Sequence, residues 1–142
     1  MISCYYIDTR RYYSNFYNVH CFGPTAGNII NNIHAAGYQP EEVKATLLTH
    51  MHPDHTCGIT SLEGKAIFPN ATVYISEAEN NFRLNPQLVA SISEKNQSFA
   101  NMVQKAVAPY IAAKAFRIFK SGEEIISGIK AISTFGHTPG HT

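Results

Sequence analysis

The sequence predicts an α/β fold, and three observations carry that expectation. Short apolar runs bounded by turn residues recur along the chain, as buried strands do. Stretches of helical periodicity lie between them. Two histidine-rich runs each begin where one of these strands ends, and strand ends are where α/β architectures place their chemistry.

Taken in order, residues 1–21 form an atypical segment crowded with Tyr5, Tyr6, Tyr12, Tyr13, Phe16 and Tyr17, read as a strand or an irregular stretch. These aromatics fill a core or line a pocket. Pro24 to Ala36 is predicted helical, with Ile29, Ile30 and Ile33 as its stripe and Gly37 as its stop. Pro40-Glu41-Glu42 starts a short helical turn. Lys44 to Thr49 is a buried strand, Pro53 opens a loop or a first helical turn, and Gly58 to Leu62 continues as a short helix. Ala71 to Ile75 is the next strand. Ser76 is the N-cap of a helix over Glu77 to Leu84, with Glu79 at the capping-box position. Pro86 to Ala115 is mainly helical and is interrupted at Pro109. Phe99, Met102, Val103, Ala106 and Val107 give it an ordinary packing stripe. Phe116 to Phe119 and Ile129 to Ser133 are strands about a Ser121-Gly122 turn.

Composition bounds the function. A hydrophobic share of 44% against 15% charged residues fits one folded domain rather than a disordered chain. Net charge is +1 with no basic block, which disfavours nucleic acid and anionic membrane as partners. No apolar stretch reaches bilayer length, and the N-terminus does not read as a signal peptide. Cys4, Cys21 and Cys57 form no framework, so free thiols and a cytoplasmic location are expected. Cys57 is either a packed residue or a soft ligand. Without a secretion signal, the sequons at Asn70 and Asn96 carry little weight.

The chemistry concentrates in His50-Met51-His52-Pro53-Asp54-His55. Imidazoles suit zinc and similar metals, and a carboxylate adds an oxygen ligand. In extended backbone, residues two apart point the same way, so His50 and His52 can hold one ion while Asp54 and His55 turn toward a second. The loop Gly136-His137-Thr138-Pro139-Gly140-His141 aims further imidazoles from a remote segment. Thr49 and Thr138 are candidate hydrogen-bond partners of the ligands, or serve only their local backbone. His20 and His34 have no motif context and are expected at the surface or on a helix face.

Together the two histidine runs and the helical insert between them resemble the metallo-β-lactamase superfamily, in particular its methyl parathion hydrolase and lactonase-like branch. Phe22-Gly23-Pro24-Thr25, Pro40-Glu41-Glu42-Val43, Phe68 to Val73 and Pro109-Tyr110 support the likeness, which covers residues 22–142. The resemblance implies an αβ/βα sandwich, incomplete here, with this partial domain as its central portion. It implies a metal site of His50, His52 and His137 for one ion, with Asp54 and His55 helping to hold a second. The family pattern selects His137, while the sequence alone leaves His141 open. Up to two Zn2+ ions are expected, with Mn or Fe as alternatives. The family's bridging aspartate and last histidine have no counterpart before Thr142. Its opening strands have none in residues 1–21, and Cys57 stands where glycine is usual. A chain clipped at both ends is therefore expected.

The implied activity is a metal-dependent hydrolase. Metal-bound hydroxide attacks ester, lactone or phosphotriester substrates, and Asp54 orients it. The partner is a small-molecule substrate, with a homo-oligomer as a further expectation. A thioesterase or β-lactamase-type hydrolase on the same scaffold, or a non-catalytic fragment that binds one ion, are the alternatives.

Overall fold

Four strands align in parallel into one sheet in a computed structural model that describes residues 4–7 and 29–142. Their order is β1 (Cys4–Ile7), β2 (Val43–Leu47), β3 (Thr72–Ser76) and β4 (Phe116–Phe119). Parallel neighbours require crossovers, which helices supply. In sequence, α1 (Ile29–Ala35) precedes β2, and α2 (Pro53–Thr56) follows it. Between β3 and β4 come α3 (Glu77–Arg83), α4 (Pro86–Ser91) and α5 (Glu94–Ala112). A hairpin of β5 (Glu124–Ile126) and β6 (Ile129–Lys130) follows β4.

The core joins Val73 and Ile75 of β3 to Val103, Val107 and Tyr110 of α5, with Leu48, Met51, Ile59 and Phe68 from the connecting segments. Each such apolar side chain contributes about 1.5–3 kcal/mol relative to exposure. Of the predicted stripe on α5, Val103 and Val107 thus face the core. The Tyr110 hydroxyl donates to the Ile59 carbonyl (2.7 Å) and accepts from the Phe68 N–H (3.2 Å), so its polar end is satisfied inside the core. Gly37 ends α1 at φ +85. Its N–H bonds the His34 carbonyl and the Tyr38 N–H bonds that of Ile33, a glycine-dependent helix stop.

Several expectations need correction. Pro109 does not interrupt α5, which runs on to Ala112. It falls in the last turn, where one missing N–H is outweighed by the burial of Val107 and Tyr110 around it. The helix ascribed to Gly58–Leu62 is a single 3-10 turn over Cys57–Ile59. Thr60 leaves it to bridge Ala66 and to donate its hydroxyl to the Ala106 carbonyl. The strand ascribed to Ile129–Ser133 is only β6, and its partner β5 is an element the apolar pattern did not show. Cys57 is buried and disulfide-bonded, which overturns the free-thiol expectation and removes the cysteine argument for a reducing compartment. Sequence spacing could not show which sulfurs meet in space. The aromatics of residues 12–17, His20, Cys21 and the start of the first predicted helix lie outside the described residues. Among the described residues, no helix is long and apolar enough to cross a membrane.

Candidate metal centre

The first histidine loop leaves the C-terminal end of β2. Pro53 occupies the first position of α2 and holds His52 extended, at φ −76 and ψ 150. The His52 carbonyl accepts from the His55 N–H (3.0 Å), the Thr56 N–H (3.0 Å) and the Thr56 hydroxyl (3.1 Å). The backbone is thereby pinned, and His50 Nε2 lies 3.1 Å from His52 Nδ1.

The second loop is folded against the same rim of the sheet. Thr134 N–H donates to the His141 carbonyl (2.8 Å) and Thr142 N–H to the Thr49 carbonyl (3.0 Å). Ser76 Oγ, at the end of β3, donates to the Gly140 carbonyl (2.5 Å). Gly136 turns the chain at φ +133, a value that favours glycine. His137 Nε2 arrives 3.0 Å from His52 Nδ1.

One ring nitrogen from each of His50, His52 and His137 thus lies within 4.8 Å of the others. Hydrogen bonding alone does not account for the arrangement. His52 Nδ1 faces two other ring nitrogens, yet it has only one proton or one lone pair to offer. Three lone pairs directed at one cation resolve that conflict. A tetrahedral zinc with Zn–N of about 2.0–2.1 Å spaces its ligand nitrogens by roughly 3.3 Å, close to the 3.0 and 3.1 Å that His52 Nδ1 keeps to its two neighbours. The donor set therefore fits a divalent metal.

The electrostatics agree. Burial pushes the His50 imidazole down to about 2, reinforced by the rings of His55, His52, His137 and His141. Burial also lowers His52, with Arg83 and His137 adding to it and Asp54 and Glu79 opposing. Both rings are held neutral, the form that ligates metal. Thr49 Oγ1 lies 3.0 Å from His50 Nδ1. With Nδ1–H donating there, the Nε2 lone pair faces the cluster. Thr138 Oγ1 is buried with no hydrogen-bond partner among the described residues.

The other sequence candidates stand beside this set. Asp54 and His55 lie on α2, half-buried, with Asp54 Oδ2 3.5 Å from His55 Nε2. The His55 ring packs 4.2 Å from that of His50. His141 is also near, its ring 5.1 Å from His50 and 5.8 Å from His137, with Nδ1 2.6 Å from Thr134 Oγ1. His34 is exposed, as expected. In its disulfide, Cys57 offers no thiolate to a metal. Next to His52 a cleft of about 510 Å³ opens between α2, α3 and α5, lined by Pro53, Phe82, Arg83, Ile92, Asn96 and Phe99.

Sequence reasoning missed Glu79. The capping-box pattern predicted its place on α3 but not its destination. Ser76 Oγ does accept from the Glu79 N–H (3.2 Å). The carboxylate turns inward, where Oε1 accepts from the Met51 N–H (2.9 Å) and Oε2 from the Gly140 N–H (3.3 Å). An acidic residue one helical turn beyond a strand end on the histidine rim was the signal available.

Comparison with known proteins agrees with this architecture. An N-acyl homoserine lactonase from a Bacillus species is 25% identical over 113 residues, covering 80% of this chain and 36% of that protein. The chain thus spans little more than a third of that relative's length. The crystal structure of the hydrolase AbOPH, in the beta lactamase superfamily, superposes with a TM-score of 0.78 at 45% identity, covering 90% of this chain and 44% of that one. AidC, a dizinc quorum-quenching lactonase in complex with N-hexanoyl-L-homoserine, shares the fold with a TM-score of 0.70 at 22% identity, covering 82% of this chain and 42% of that one. The family model of the metallo-beta-lactamase superfamily matches residues 21–142. With that match over most of its length, the chain belongs to the metallo-β-lactamase superfamily.

Proposed function

We propose that this chain carries the metal-binding half of a hydrolase acting on esters, lactones or phosphotriesters. The observation that carries the proposal is the convergence of His50, His52 and His137 from two loops, with His52 and His137 85 residues apart in sequence. In this scheme those three hold one divalent ion, with zinc favoured by the all-nitrogen set. Asp54 and His55 contribute toward a second ion. A cation held there supplies Lewis acidity toward a carbonyl or phosphoryl oxygen and acidifies water.

The chain's own residues supply the rest. Asp54 accepts a hydrogen bond from the attacking water and orients it. Pro53, Phe82, Ile92 and Phe99 give the cleft an apolar wall suited to an acyl or aryl substituent. Arg83 and Asn96 offer donors to the polar end of the substrate. The lactonase relative and the lactonase whose complex shares the fold favour lactones within this range.

Metal-stripped protein reloaded with zinc, assayed on an aryl ester, an N-acyl homoserine lactone and a phosphotriester, tests the proposal. Hydrolysis of at least one class should appear with zinc and vanish with a chelator. Zinc binding without turnover of any class would support the second reading, a non-catalytic metal-binding chain. That reading is favoured by the position of Asp54 and His55 outside the three-nitrogen set.

A further inference from the structure

Glu79 is completely buried, yet its side chain is a carboxylate. A buried carboxylate without partners is costly, so what it bonds to identifies its role. Its two oxygens divide between two loops. Oε1 takes the N–H of Met51, the residue between His50 and His52. Oε2 takes the N–H of Gly140, in the loop that presents His137. Arg83 Nε sits 3.5 Å from Oε1, one helical turn on, and supplies the countercharge. The same junction has a second fastener in the Ser76 hydroxyl, which donates to the Gly140 carbonyl. The approach is so close that a Cβ on Gly140 would run into the Glu79 backbone and Cβ.

We infer that Glu79 is a positioning residue that joins the two histidine loops and sets their spacing before a metal arrives. The role presupposes the metal reading of His50, His52 and His137 given above. Met51 sits between the two ligands of its loop, so fixing its N–H fixes the backbone that aims both rings. Gly140 does the same for its own loop. One anion accepting from both loops ties them to a common point. Charge matters as well as shape. A carboxylate accepts at both oxygens, whereas an amide in its place offers one acceptor and turns an N–H2 toward the other N–H. Glu79→Gln is nearly isosteric but must release one loop.

The test is metal binding by the whole chain, with Co2+ and Zn2+ as the probes. Wild type should bind cobalt with the visible absorption of a nitrogen-rich site, and failure of wild type to bind would sink the metal reading itself. E79Q should keep the far-ultraviolet circular dichroism of wild type, bind zinc about 10- to 100-fold more weakly, and shift the cobalt bands. E77Q removes an exposed charge from the same helix and should match wild type. E79Q with wild-type affinity and an unchanged cobalt spectrum, even if its melting temperature falls, would show a merely structural role and overturn the inference. A second measurement needs no variant. Amide hydrogen exchange on metal-free wild type should show the Met51 and Gly140 N–H groups protected. Exchange at the rate of open amides would equally overturn it.

Discussion

The three imidazoles of His50, His52 and His137 and the neighbouring trio of Asp54, His55 and His141 share one rim of the sheet but are built differently. The first three meet nitrogen to nitrogen at 3.0 and 3.1 Å, although they come from two loops. Of the second three, Asp54 faces His55 at 3.5 Å and His141 is hydrogen-bonded to Thr134. One set converges on a point because backbone on both sides fixes it. The other consists of side chains already engaged with immediate neighbours. The contrast separates three ring nitrogens that converge from three neighbouring groups that do not join them.

Removing a convergent ligand is the strongest way to test that contrast. H137A should weaken zinc binding by at least about 100-fold, in proportion to the share of one ligand in a typical zinc-site free energy. H141A should cost less than 10-fold, as measured by zinc competition with a chromophoric chelator. Equal losses would dissolve the distinction between the two loop histidines. D54N comes next. It should lower any turnover by about 100-fold, the range for loss of a group that positions a proton, while leaving affinity for the first ion within a few-fold. Single-turnover rates set beside zinc isotherms distinguish the two effects.

Acidity probes the convergent set in a different way. The folded chain keeps His50 neutral down to about 2, whereas in the unfolded chain it protonates near its ordinary value. Between those two values the unfolded state binds the extra proton, so metal-free protein should lose stability as pH falls from about 6.5. Urea midpoints measured across that range should decline, and H50N should flatten the slope. Zinc should offset the decline where it binds, since the metal competes with the proton for the same nitrogens. The smallest effect belongs to T49V. It removes the hydroxyl at His50 Nδ1, and zinc affinity should fall by only a few-fold to ten-fold.

Much of this was legible in the sequence where the cause is local. Pro53 at a helix start, Gly37 at a helix stop and the apolar runs of β2, β3 and β4 announce themselves through backbone constraints that act within a few residues. The histidine runs were visible as ligand types at suggestive spacing. Several other features were not, and three of them show why. Pro109 is tolerated because of the packing around Tyr110, which is a tertiary fact. The short β5 carries too few apolar positions to set up a period. Glu79 reads as a helix cap until the fold brings Met51 and Gly140 to its two oxygens, from 28 residues upstream and 61 residues downstream.

The uniform direction of the four strands has a practical corollary for anyone modifying this protein. His50, His52, His55, His137 and His141 gather beyond the carboxyl ends of the strands, away from the edge where the chain enters β2. The turn at Gly37, which leads into β2 from that far side, has an open surface around its α-carbon. An affinity tag or fluorescent probe spliced there would sit the length of β2 away from His50, His52 and His137, so reporter and histidine cluster could be engineered separately.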